Sequence, residues 1–421
     1  MKSIGQKIYL LLFCIFTATS ACGYDFEVDG LYYSIRSIED LTCTLVEGDN
    51  VYTGDIVIPS QVTYKGKTLT VTGFGCTFSY NKYITSVTIP NSVSEISLNA
   101  FLNCTSLKHV VIPNTVTSIE SGVFQGCSSL NEITIPNSIL TIYTDAFAGS
   151  GLKTLIIEDG EKTLFYRNLG VGISATSFNT VEILYLGRNI VCLYKDYPIF
   201  SSNLKEVTVG NLVTKINPQL FASCHGLTSL KIPDSVAEIG EGAFEDCSSL
   251  TDVTLETSVI GERAFKNCSS LTDVTLGSSV DSIDALAFNN CPNLTRIYSL
   301  NPMPPECDNS VFDNKIYLNT NLYVPTGSLA TYQKADTWKN FWTIEEVENT
   351  GVSSIRTESP RVVYEGDGIR LTGASGKSLY VYSTSGKNVY MNDRYSGEII
   401  SLLSGIYIVK VGDDSLKVSV K

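Results

Sequence analysis

Twelve cysteines, two histidines and a scatter of carboxylates are the groups of this 421-residue chain that could carry chemistry. Six of the cysteines, Cys104, Cys127, Cys224, Cys247, Cys268 and Cys291, recur at one place, each three residues after a phenylalanine. A zinc site would need thiols or imidazoles clustered at short spacing, and the sequence has no C-x-x-C pair. The six therefore read as a structural column of buried, reduced thiols that pack as small hydrophobes, and no metal is expected. Cys43, Cys76, Cys192 and Cys307 lie outside the column, and the spacing leaves open whether Cys43 pairs with Cys76. Free thiols in an exported chain fit an anaerobic habitat.

The remaining chemistry is thin. His109 falls at an outward strand position and His225 in a turn after Cys224, and neither is accompanied by a nucleophile elbow. Gly66-Lys67-Thr68 and Gly376-Lys377-Ser378 fail as phosphate-binding loops, because Gln61 and Leu371 stand where glycine is required. Asp252 and Asp273 occupy equivalent places in successive repeats. Stacked acids of this kind could bind a cation or act on a sugar, though a solvated acidic face explains them as well. No calcium-loop spacing occurs. Neither catalysis nor a cofactor is expected.

The elements that must position these residues come from an internal repeat. From Phe101, Cys104 follows at three residues and Leu107 at six, and then the strand-like Val110, Val111, Ile112, Pro113. The arrangement returns at Phe124, Phe221, Phe244, Phe265 and Phe288, with steps of 21 or 23 residues between neighbouring copies. Phe78, Phe147, Phe178, Phe200 and Phe312 open weaker copies, and residues 158 to 177 depart from the pattern. About eleven coils are expected between residues 56 and 345. Each supplies an apolar-alternating strand, L-x-x-V-x-I-P, to a parallel sheet on one face. Proline ends that strand, S-V-x-x-I adds a second short extended piece, and Ala-Phe supplies a helical turn filling the far side of the core. At a strand spacing of about 4.8 Å the sheet should be on the order of 50 Å long.

The unit I-P-x-S-V-x-x-I-x-x-x-A-F-x-x-C-x-x-L resembles the BspA-type leucine-rich repeat of bacterial surface proteins. The resemblance extends to Tyr24-Asp25-Phe26-Glu27-Val28-Asp29-Gly30, similar to that family's N-terminal cap. Leu322-Tyr323-Val324-Pro325 through Tyr332, Trp338 and Phe341 is similar to its closing cap. It implies a right-handed solenoid, β-rich with short helical turns, and adhesion to host matrix proteins or to other bacteria.

The ends differ from the repeat. Lys2 and Lys7 precede an apolar run over residues 8–18 and the small residues Thr19, Ser20 and Ala21, the layout of a signal peptide. The run is shorter than the roughly 20 residues a membrane span needs. Ser20-Ala21-Cys22 also allows lipoprotein processing at Cys22, with Thr19 standing where that motif prefers leucine. After Trp342, alternating runs at 361–364, 369–371, 379–383 and 406–411 suggest a small antiparallel β-sandwich. Tyr380-Val381-Tyr382-Ser383-Thr384-Ser385-Gly386-Lys387 and the ending from Leu403 resemble the sorting domain of type IX secretion; an ordinary spacer is the plainer alternative. The expected organisation is a signal peptide at 1–21, an N-terminal cap at 22–55, repeats and closing cap at 56–346, a linker at 347–351 and a sandwich at 352–421.

Composition bounds the function. Hydrophobic residues make up 43% of the chain and charged ones 17%, so most of it should fold, and the net charge of −13 lacks the basic stripe that nucleic acid requires. A binding role on the cell surface or outside the cell, possible through either protein or glycan ligands, is the leading expectation, with a display spacer as a third reading. The sheet face should present Tyr185, Arg296, Tyr298 and Tyr323 as anchors, with His109, Glu132, Asp252 and Asp273 beside them.

Overall fold

The computed structural model describes residues 23–143, 145–167, 178–192 and 198–347. In the C-terminal region it describes 361–365, 368–372, 379–383, 388–392, 399–402, 405–411 and 414–420. Residues 1–22, where the signal peptide is expected, the stretch 348–351 and Gly376-Lys377-Ser378 lie outside the described residues.

The repeat builds a solenoid, because no single coil can bury its own apolar residues. Strands such as Ser229–Ile232, Asp252–Leu255, Asp273–Leu276 and Arg296–Ser299 pair in parallel and in register. Within Asp252–Leu255, Val253 and Leu255 are buried while Asp252 and Thr254 face outward, as a period of two demands. The sheet runs as three ladders, interrupted after Val111 and after Val209. Proline closes the strand, and its carbonyl accepts from the N–H three residues on, as in Val116 N to Pro113 O and Val236 N to Pro233 O, both 3.1 Å. The following short strands, among them Glu238–Ile239, Val259–Ile260 and Ser282–Ile283, form a second parallel sheet on another side of the coil.

Between the sheets runs a stack of phenylalanine rings. Phe78, Phe101, Phe124, Phe147, Phe178, Phe200, Phe221, Phe244, Phe265, Phe288 and Phe312 lie ring over ring, with centroids 5.2–5.8 Å apart. Most neighbouring rings are within about 20° of parallel, the widest opening, 32°, falling between Phe147 and Phe178. That is the step which carries the irregular residues. Beneath the rings the thiols form a ladder of their own. Five of the six donate to the carbonyl of the phenylalanine one coil earlier: Cys104 to Phe78 at 2.8 Å, Cys127 to Phe101 at 3.1 Å, Cys247 to Phe221 at 3.2 Å, and Cys268 to Phe244 and Cys291 to Phe265 at 3.3 Å. Asn81 makes the equivalent bond to Tyr52, 2.9 Å long. This is why cysteine and asparagine share the position: both are compact donors that satisfy a buried carbonyl.

At Phe78 the expected helical turn is present as a 3-10 turn, Cys76–Phe78, whereas around Phe101, Phe124, Phe221, Phe244, Phe265 and Phe288 the chain forms hydrogen-bonded turns. Residues two before and two after the ring take positive φ, as at Asn99 (59°) and Asn103 (56°), Gly122 (67°) and Gly126 (72°), and Asp246 (63°). The left-handed positions aim alternate N–H groups at the next coil, so Asn99, Phe101 and Asn103 donate to the carbonyls of Ser121, Val123 and Gln125. The turn thus becomes a third intercoil ladder. Glycine and asparagine recur there because they tolerate the left-handed region.

Both ends are closed by aromatic residues. At the start, the hairpin of Phe26–Val28 and Leu31–Ser37 turns through Asp29 (φ 52°) and Gly30 (φ 77°), the two consecutive positive φ values that a tight hairpin requires. Tyr52 and Phe74 then pack edge-on against Phe78. At the other end, Trp338 is fully buried, donates Nε1 to Pro305 O at 2.8 Å, and with Tyr317 and Phe341 covers Phe312. The helix Asn314–Asn319 starts on Asp313, whose carboxylate accepts from the N–H groups of Lys315 and Ile316. A last parallel strand, Thr343–Val347, pairs with Asn321–Pro325. No described helix is long and apolar enough to cross a membrane.

The C-terminal region is antiparallel, as expected of a small sandwich. One sheet joins Arg361–Glu365, Gly368–Thr372 and Ile400–Ser401, and the other joins Asn388–Asn392, Leu379–Ser383, Gly405–Val411 and Asp414–Val420. Ile369, Leu371, Leu379, Val381, Val409, Val411 and Val418 form its separate core.

Two substitutions test the stacking. Phe244→Ala should cost about 3–5 kcal/mol, read as a lower midpoint in denaturant unfolding. At Gly151, where the coil is one residue short, an added Cβ would stand 2.1 Å from Ser128 O. Gly151→Ala should therefore destabilise by about 1–3 kcal/mol, read as a lower melting temperature.

Candidate binding face

The outward positions of the first sheet are set by strand register. In chain order the rows run Asp55, Ser86, His109; then Glu132, Thr154, Ile183, Glu206; then Ser229, Asp252, Asp273, Arg296, Asn321 and Thr343. His109, Asp252 and Arg296 are exposed, and Glu132, Asp273, Tyr298 and Tyr323 half-exposed.

The first row brings an aspartate, a serine and a histidine together, in the wrong order for nucleophile activation. Ser86 donates to Asp55 Oδ1 at 2.7 Å, and Thr85 donates to the same oxygen at 2.7 Å. A triad needs the imidazole between the hydroxyl and the carboxylate. Those two hydrogen bonds, with a smaller contribution from His109, hold the Asp55 carboxyl below the usual range. His225 uses Nδ1 for Asp246 O at 2.8 Å and Ser248 Oγ at 3.2 Å.

The paired acids do not form a cation site. Asp273 is taken by Arg296, whose Nε and Nη2 reach its two carboxylate oxygens in a fork, Nη2 at 2.7 Å. Thr272 Oγ1 adds a 2.7 Å bond to Oδ2. The same pairing pushes the Arg296 guanidinium pKa up. Asp252 accepts from Thr251 Oγ1 at 2.8 Å. Among the described residues no group of three or more histidine, cysteine or acidic side chains could hold a metal.

Next to Arg296 the rings of Tyr298 and Tyr323 stack, centroids 4.8 Å apart and 17° from parallel. Their adjacency follows from the register, which pairs Tyr298 with Tyr323. The structure thus brings together three of the four expected anchors.

Tyr185 is the exception. It lies on the outward side of its strand but is only 7% exposed, and its hydroxyl donates to Asp159 Oδ1 at 2.8 Å. Burial, then that carboxylate, push its pKa well up. Beside it Ile156, also outward, is fully buried, yet neither belongs to the core of the solenoid or of the sandwich. Sequence reasoning missed Ile156. The signal was present: Leu155-Ile156-Ile157 and Leu184-Tyr185-Leu186 are unbroken apolar runs where other coils alternate with threonine or lysine.

The column thiols are fully buried. Burial pushes Cys247 and Cys291 up to about 12, and Cys224 and Cys268 are raised in the same direction. Burial also raises Cys43 to about 11 and Cys307 to about 12. Among the described residues Cys43 is buried and Cys76 exposed, and no disulfide joins the two.

A family model for the BspA type leucine rich repeat region matches residues 55–168 and 196–319, more than half of the chain, in six copies. The chain belongs to the BspA-type leucine-rich repeat family. Similar solved structures include a leucine-rich repeat protein of Bacteroides ovatus, 21% identical over 77% of this chain and 100% of that one, with a TM-score of 0.33. A leucine rich cell surface protein of Faecalibacterium prausnitzii is 23% identical over 79% of this chain and 98% of that one, TM-score 0.26. A leucine-rich repeat protein of Bacteroides capillosus is 32% identical over 32% of this chain and 97% of that one, TM-score 0.29. No curated protein matches significantly. Membership of this BspA-type family supports a protein-binding or adhesion-type role in general.

Reactivity separates the thiols. Burial, which pushes Cys247 and Cys291 up to about 12, keeps those two thiols protonated at pH 8, and all six column thiols are shielded from solvent. Iodoacetamide at that pH should modify Cys76 in the folded protein, and Cys104, Cys127, Cys224, Cys247, Cys268 and Cys291 only after unfolding, as followed by peptide mass spectrometry.

Proposed function

We propose that this protein is exported to the cell surface or beyond and binds a protein partner, of the host matrix or of another bacterium, through the end of its sheet face nearest the closing cap. The observation that carries this reading is the surface cluster of Arg296 and Tyr298 on one strand with Tyr323 opposite Tyr298 on the next. Tyrosine presents large amphipathic area with few rotatable bonds, and stacking removes much of the entropy that binding would otherwise cost. Arg296 is held in one orientation by Asp273, so its outer edge is preorganised for a carboxylate or carbonyl of the partner.

Delivery fits the ends of the chain. The leader carries it out of the cytoplasm, with Cys22 as the site of lipidation in the alternative route, and the C-terminal sandwich acts in type IX export or attachment. Acidic surface and outward threonines keep the rest of the face soluble.

Binding assays of the mature chain against matrix proteins, whole bacteria and a glycan array test the reading. Tyr298→Ala, Tyr323→Ala and Arg296→Ala should each weaken the binding detected by about 1–3 kcal/mol, with Thr254→Ala within about 0.5 kcal/mol of the parent. Unchanged binding in all three variants would overturn the assignment to this patch, and retention on glycans alone would replace the protein partner with a sugar.

A further inference from the structure

The middle of the sheet face carries apolar side chains that its neighbours lack, and they are buried. Ile156 is 0% and Tyr185 7% exposed although both point away from the solenoid core. Thr154, in the row beside them, is 8% exposed. On the same face Lys231 and Asp252 are exposed. Side chains of one sheet cannot bury an isoleucine fully on its outer surface, so a second layer must lie over it.

The occupant is indicated by charge and by register. Lys410 of the C-terminal sandwich pairs with Glu206, Nζ to Oε1, at 3.0 Å across 204 residues of chain. Glu206 is two rows along the sheet from Thr154, with Ile183 between them. Lys410 stands opposite Tyr380 in the sandwich, and Ile408 opposite Tyr382. These four alternate with the buried Leu379, Val381, Tyr407 and Val409, so they form the outer face of that sheet. All four are only half-exposed. Tyr382 is close enough to Glu206 and Lys410 to feel both charges.

We propose that the C-terminal sandwich docks through this outer face onto the centre of the solenoid sheet, and that Ile156 and Tyr185 form the apolar floor of the contact. While docked, the module closes that surface to any other partner. Separation of the module from the solenoid uncovers it. The surface therefore reports the state of the tail. It shares no residue with the Arg296, Tyr298 and Tyr323 patch, so either assignment can fail alone.

The test uses the full mature chain in a Cys76→Ser background. Cysteine is placed singly at Ile156 or, for comparison, at outward Thr254, and the rate of maleimide labelling is measured. Ile156→Cys should label at least about 100-fold more slowly than Thr254→Cys, because labelling requires the cover to open. Adding Tyr382→Asp with Lys410→Glu, which touch neither core, should bring the two rates within about tenfold. Equal rates in the intact chain, or an Ile156→Cys that stays slow after the outer face is altered, overturns the proposal. Should the altered sandwich unfold, a short bismaleimide gives an independent reading. It should link Glu206→Cys to Lys410→Cys far more efficiently than Arg296→Cys to Lys410→Cys, and comparable yields from the two pairs overturn the docking.

Discussion

Ring-on-ring contact between successive phenylalanines is the constraint on which the rest of this molecule depends. For a ring to land on its predecessor, every coil must return the chain to the same lateral place at each turn, within a few tenths of an ångström of the 5.2–5.8 Å spacing. The two sheets, the thiol ladder and the left-handed turns are ways of meeting that requirement. The spacing holds where coil length varies: the long step between Phe147 and Phe178 still closes with centroids 5.5 Å apart. In that region Arg188, fully buried, bonds Pro136 O and Asn137 O at 2.9 Å each and ties the irregular coil to the regular one two turns before it.

Much of this was legible in the sequence, for a physical reason. A repeated coil must place the same residue in the same environment many times, so phenylalanine, cysteine and the strand alternation stand out against the background. The turn was less legible. An Ala-Phe pair beside an apolar spacing suits one helical turn and a left-handed turn equally, and only the intercoil hydrogen bonds choose between them. Asn99, Asn103, Gly122 and Gly126 were the local hints. The face was legible as a register but not as a surface. Strand alternation states which way Tyr185 points, whereas its burial depends on what lies above the sheet. Asp273 shows the same limit, since its partner Arg296 is one coil away and the fork between them depends on rotamers.

The chemistry of the cysteines follows from packing. A thiol whose hydrogen bonds a buried carbonyl, within apolar surroundings, resists ionisation, so nucleophilic and metal-binding routes are suppressed together. The chain therefore carries many cysteines in its fold without exposing reactive sulfur along the column. Variety is left to outward side chains, where an arginine fork and a tyrosine stack occupy one end of the face and an apolar floor the middle.

The ladders have one further property. Every coil offers the next a ring, a donor and a row of N–H groups identical in kind to those it receives, so a junction between any two regular coils is chemically equivalent to any other. A whole unit can be duplicated or deleted without creating an unmatched surface, and both caps keep their fit. Each addition would extend the reach of the molecule by about 4.8 Å, which makes length a freely adjustable trait of the design while its two ends stay fixed.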